Sequence, residues 1–153
     1  MMKQTIAKEK PLAEITLRRY EKPYQMSERE LIRKLCLSLG LLQTGDSRDI
    51  IVDIFHVLLQ ANKQKKALTP DIIQQNIITN RTTANLPLKG IAPSNVRRQL
   101  KRLKDLFLIE KINDSYRITE HENIRTLYEE KIKKYYLPSI LSRIEEYLQA
   151  LEQ

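Results

Sequence analysis

The sequence predicts a mainly α-helical fold with one small β-hairpin and flanking N- and C-terminal helices. Three observations carry this reading. Apolar residues recur at helical spacing over most of the chain after residue 27, β-compatible residues gather in the stretch 108–119, and polar turns, Gly or Pro separate these segments. At 153 residues the chain suits one domain with an appended element. It divides into an N-terminal arm (1–26), a central domain with an extra leading helix (27–119) and a C-terminal helical element (120–153).

The arm contains Pro11 and Pro23 and has no sustained helical period, with a short extended possibility at Glu14 to Leu17. Arg18, Arg19 and Lys22 stand beside Tyr20 and Tyr24, which suits either a polar tail or a segment reaching a phosphate backbone or partner subunit. Ser27 and Glu30 have capping-box spacing. Leu31, Ile32, Leu35 and Leu39 follow as the expected buried stripe of a helix stopped at Gly40. Asp46 opens the next predicted helix, with Asp49 in its first turn and an apolar face of Ile50, Ile51, Ile54, Val57, Leu58 and Ala61. Ala67-Leu68 is β-compatible and leads into Thr69-Pro70, an N-cap followed by Pro where a missing N–H costs nothing, so a short helix is expected over 71–78. Residues 79–89, polar and aperiodic, read as a long loop.

Pro93 to Leu106 is the next predicted helix. Steps of about 100° per residue place Val96, Leu100 and Leu103 on one stripe, continued by Leu106. Ser94, Arg98, Lys101 and Arg102 then point away from the core, with Asn95, Arg97 and Lys104 on the flanks. Leu108 to Ile112 and Tyr116 to Thr119 are the expected strands of a hairpin, with Asn113-Asp114-Ser115 as its turn. Helical period returns over 122–136 and 138–151, with Pro138 in the first turn of the second segment or at a kink.

The formal net charge is +8, and the excess is localised: residues 61–119 hold 12 Lys and Arg against 4 Asp and Glu, whereas the segments before and after net +2 and −2. That distribution suits a polyanionic partner. Cys36 is the sole cysteine, which excludes an intramolecular disulfide and a cysteine metal cluster and fits a reducing, cytoplasmic setting. The apolar runs are too short for a membrane span, and the N-terminus lacks a secretory apolar region. His56, inside an apolar helix, reads as a satisfied core histidine, and Cys36 as an inert buried thiol. With three glycines and two histidines there is no Gly-rich phosphate loop and no legible Ser, His and Asp grouping. The expectation is a non-enzyme without metal or cofactor.

The order from residue 46 to 119 (helix, short strand, helix, helix, hairpin) resembles the winged helix-turn-helix family. The resemblance rests on Ala67-Leu68-Thr69-Pro70, on Ala92 to Leu103, on the exit Leu106 to Lys111 and on the return Tyr116 to Thr119. It covers about half the chain and implies that helix 93–106 enters the major groove of double-stranded DNA. By position, Ser94, Asn95 and Arg98 become base-edge candidates, Arg97, Lys101, Arg102 and Lys104 phosphate contacts, and Lys111 and Arg117 backbone contacts from the wing. Two departures stand out. Phe107 takes a place where members often have Gly, and the connection at 79–89 is long, either shifting the helix angle or adding contacts through Arg81 and Lys89. The acidic wing tip at Asp114 argues against deep minor-groove insertion.

Leu137, Leu141, Ile144, Leu148 and Leu151 follow the 4-3-4-3 spacing of a helix that packs on another helix, in a homodimer or back onto residues 46–61. Regulators of the PadR-like and archaeal winged-helix types commonly dimerise through helices after the wing. The resemblance thus implies a dimeric, sequence-specific transcription regulator. The alternative is an interaction module in a larger nucleic-acid-associated complex, without sequence-specific DNA binding of its own.

Overall fold

The computed structural model describes residues 11–19, 22–43, 45 and 48–153. Asp46 and Tyr20, both singled out in the sequence, lie outside them. The centre of the core is helix α2 (Ile50–Asn62), in which Ile50, Ile51, Val52, Ile54, Phe55, Val57 and Leu58 are all buried. A helix apolar on nearly every side has to be covered on nearly every side. Helices α1 (Glu28–Ser38), α3 (Pro70–Thr83) and α4 (Pro93–Asp105) pack around it, together with the second strand of a hairpin.

In α1 the Ser27 hydroxyl accepts the Glu30 N–H at 3.2 Å, but the Glu30 carboxylate takes Arg33 at 2.9 Å instead of closing the capping box. The buried stripe is Ile32, Cys36, Leu37 and Leu39, whereas Leu31 and Leu35, expected inside, are exposed. Arg29 accounts for the roll: it lies on the Ile32 and Cys36 side and reaches Asp53 of α2 at 3.1 Å. Gly40, at φ +72, then turns the chain so that Leu41 and Leu42 also enter the core. Asp49 caps α2 by position only, because its carboxylate is taken by Arg29 at 2.9 Å and Arg81 at 2.6 Å.

Helix α3 begins as expected, with the Thr69 hydroxyl accepting the Ile72 N–H at 3.3 Å, but it runs through Thr83, so the expected loop shrinks to residues 84–92. Arg81 drives this extension. It is buried, bonded to Asp53 and Asp49, and donates to the Pro87 carbonyl at 2.7 Å. Beyond it Asn85, at φ +55, forms a Schellman closure with Leu86 N–H on the Arg81 carbonyl at 2.8 Å. The same closure ends α4 with Phe107 in the left-handed position, φ +61, and Leu108 N–H on the Leu103 carbonyl at 3.2 Å. Phe107 thus adopts the conformation that Gly would take.

Strands β1 (Ile109–Ile112) and β2 (Ser115–Ile118) pair antiparallel, Ile109 opposite Ile118 and Ile112 opposite Ser115. The turn is the two residues Asn113-Asp114 rather than three, with Asn113 at φ +55 as tight hairpin turns require. Leu68 adds a short third edge through reciprocal bonds with Tyr116, at 2.8 and 2.7 Å.

After a 3₁₀ turn (Thr119–His121) the chain becomes one continuous helical run: α5 (Ile124–Leu127), a π-helical segment π1 (Tyr128–Tyr136) and α6 (Leu137–Leu151). The wide π turns immediately precede Pro138, whose ring and missing N–H would break an α ladder at Lys134. Leu127 and Ile132 anchor the run in the core, and the Tyr136 hydroxyl donates to the Asp105 carbonyl at 2.7 Å while its ring stacks on Phe107. No residue of α6 is buried. The stripe is therefore not folded back on α2, whose faces are already occupied. Among the described residues no helix is long and apolar enough to cross a membrane.

Candidate nucleic-acid interface

Helix α4 is held on one side by Val96, Leu100 and Leu103, each at most 1% exposed. The 100° periodicity then forces the polar residues outward. Ser94, Arg97, Arg98, Lys101 and Lys104 are all exposed, and the one acid of the helix, Asp105, engages Lys101 at 3.1 Å. A fully solvated pair of that kind holds a lysine only weakly.

Two residues expected on this face turn elsewhere. Asn95 is half-buried: its amide donates to the Gly90 carbonyl at 2.7 Å and accepts from Gln99 at 3.1 Å, pinning the loop that enters α4. Arg102, also half-buried, donates to Gln99 at 2.9 Å and to the Gly40 carbonyl at 3.3 Å, tying α4 to the α1–α2 connection. Beside it lies a 520 Å³ cleft bounded by Arg98, Lys101 and Arg102 on one wall and by Pro11 to Glu14 of the arm on the other. The arm is docked by Thr16, whose N–H and hydroxyl reach the carbonyls of Ser38 and Leu37 at 3.0 and 2.9 Å, satisfying the open end of α1. Arg18 adds a bond to Leu37 at 3.4 Å, and Lys22 lies 5.7 Å over the Tyr24 ring.

Arg81, considered as a loop contact, is instead buried in the charge network, and only Lys89 of that pair is exposed. Arg48, not singled out in the sequence, is exposed and lies against Gly90. Its contact with Gly90, across 42 positions, sets it beside Lys89 at the N-terminal end of α4, which no local pattern announces. In the hairpin Lys111 is exposed, 5.9 Å over the Tyr116 ring, while Arg117 is paired with Glu110 at 3.1 Å. The hairpin carries less unbalanced positive charge than its composition suggests.

The remaining titratable groups sit apart from this face. His56 is part-exposed and pairs with Glu28 at 3.2 Å, so it is not the core histidine expected; that bond pulls the Glu28 carboxyl below its ordinary value. Burial, with Arg117 and Lys65 nearby, lowers the His121 imidazole, whose Nδ1 is 3.2 Å from the Asn62 side-chain oxygen. Cys36 is fully buried, and burial pushes its thiol up to about 12. Among the described residues no cluster of three or more His, Cys, Asp or Glu side chains could hold a metal ion. No protein-family model, no curated protein and no solved structure significantly matches the chain.

Proposed function

We propose that the chain is a winged helix-turn-helix protein that binds double-stranded DNA as a dimer, with α4 in the major groove and a role in transcription regulation. One observation carries the reading. A helix clamped by a fully buried apolar stripe presents Ser94, Arg97, Arg98, Lys101 and Lys104 together to solvent, at the position after α3 and before a hairpin where a groove-reading helix belongs. The order α2, the Leu68 bridge, α3, α4, β1 and β2 supports it. Ser94 and Arg98, near the start of α4, face outward as base-edge groups, Arg98 having the fork geometry for guanine. Arg97, Lys101 and Lys104 serve phosphates, joined by Lys89 and Arg48 at the helix entrance. Arg102 and Asn95 hold the helix rather than the DNA.

The test is titration of duplex DNA across salt. With about five phosphate contacts per subunit, log affinity falls against log salt with a slope of roughly −4 to −5 per subunit. Replacing Arg97 and Arg98 together with Ala weakens binding at least tenfold. A salt-independent or undetectable interaction at low salt overturns the reading. It would favour an assembly module instead, the reading to which the bare face of α6 lends weight.

A further inference from the structure

We propose that α6 pairs antiparallel with α6 of a second copy of this chain, the C-terminal tip of each helix lying along the π1 root of the other. This rests on the dimeric part of the reading above and is independent of its DNA-binding part. Leu137, Leu141, Ile144 and Leu148 are 38–53% exposed on a helix with no buried residue, so none of the described residues covers this apolar face. Ile140 and Tyr147 widen the apolar face on one flank, while Glu145 and Glu152 border the other.

Charge decides the direction. Arg143 pairs with Glu146 at 3.0 Å, which leaves Glu145 and Glu152 as the acids of the C-terminal half of α6. The root carries Lys131, Lys133 and Lys134 against Glu129 and Glu130; Lys133 pairs with Glu129 at 3.3 Å and Lys131 lies 5.8 Å over the Phe107 ring, which leaves Lys134 as its exposed cation with no partner among the described residues. A parallel pair sets Lys134 beside Lys134 at the root and Glu152 beside Glu152 at the tip. The antiparallel pair lays Glu152 of each tip on Lys133 and Lys134 of the other root and opposes the two helix dipoles. Spacing supplies the register: Leu137 of one copy meets Leu148 of the other and Leu141 meets Ile144, each twice by the two-fold axis. Glu152 then comes level with Lys133 and Lys134 of the second copy, and Ile140 and Tyr147 of opposite copies adjoin on the apolar flank.

The experiment is disulfide trapping in the full chain with Leu137→Cys and Leu148→Cys, each made alone and then mixed. Cys36 is buried and does not compete. The expected result is a covalent dimer from the mixture and only background from either variant alone. Efficient self-linking of each variant alone overturns the antiparallel arrangement in favour of a parallel one. No link in the mixture, with a monomeric mass for the unsubstituted chain by light scattering, overturns self-pairing altogether. As a second readout, Glu152→Lys weakens self-association at low salt and Lys134→Glu in the same chain restores it; absence of that rescue also counts against the pairing. A trapped dimer that ignores DNA would sink the DNA reading and leave the pairing standing; DNA binding by a strict monomer would do the reverse.

Discussion

At the scale of single residues the decisive group is the charge network of Arg29, Asp49, Asp53 and Arg81. Asp53 and Arg81 are 4% and 3% exposed and are tolerated there because each has two opposite charges beside it, Arg81 and Arg29 on Asp53, Asp53 and Asp49 on Arg81. The network joins α1, α2 and α3, and through the Pro87 carbonyl it also fixes the loop that delivers α4. Replacing Arg81 with Ala leaves the buried Asp53 carboxylate with Arg29 alone, and urea unfolding should register a loss of about 3 kcal/mol, the low end of the range for a broken buried pair. The same network sets an acid limit. Burial alone would raise the Asp49 carboxyl, but bonds from Arg81 and Arg29 bring it below its ordinary 3.8. A carboxyl lowered in the folded state adds stability that is complete above its unfolded value and lost as pH falls through its folded one. The urea midpoint should therefore drop as pH is taken below about 5, and drop less in Asp49→Asn. Arg81 was not legible as a core residue in the sequence, because a buried cation is identified by its partners, here 28 and 32 positions away.

At the scale of elements, α4 was the most legible. Its stripe of Val96, Leu100 and Leu103 is buried as the 100° periodicity required, because over two turns of helix these three apolar side chains fall on one face. Which flanking residues stay free was not legible, since Asn95 turns back on the Gly90 carbonyl five residues before it and Arg102 finds the Gly40 carbonyl, which only folding brings near. The two kinds of residue should separate experimentally. Lys104→Ala is expected to weaken binding evenly across DNA sequences and make the salt slope shallower by about 1. Asn95→Ala should cost about 1 kcal/mol of folding stability, read by thermal melting, and leave base preference unchanged. In α1 the periodicity admitted two neighbouring stripes, and the attraction of Arg29 to Asp53 chose Ile32 and Cys36 over Leu31 and Leu35.

At the scale of the whole molecule, a packed body built on α2 carries a helix that leaves it. The junction is stiffened by Tyr136 on the end of α4 and by the π turns that accommodate Pro138, so α6 projects in a defined direction. At 15 residues it is about 22 Å long at 1.5 Å per residue. The proposed pairing of α6 would bring two copies of α4 into one dimer. Leu141→Glu with Ile144→Glu should give a monomer by light scattering that retains binding to a half-site. Its affinity for a two-fold symmetric site should fall at least tenfold, and equal affinity for both sites in the unsubstituted chain would remove the dimer from the recognition step. Sites selected from random duplexes should be palindromic, with half-site centres about 10 bp apart.

What the sequence alone determined is what periodicity and local chemistry can encode: the order of the helical segments, the hairpin, the Thr69-Pro70 start of α3 and the buried side of α4. These depend on neighbours within a turn or a strand pair. What only the tertiary structure decided is where α3 ends, which stripe of α1 is inside, which cations of α4 remain exposed, and that the C-terminal stripe is left bare. Those outcomes depend on partners distant in the chain. A buried arginine, a captured asparagine and an uncovered helix face each follow from what else occupies the surrounding space.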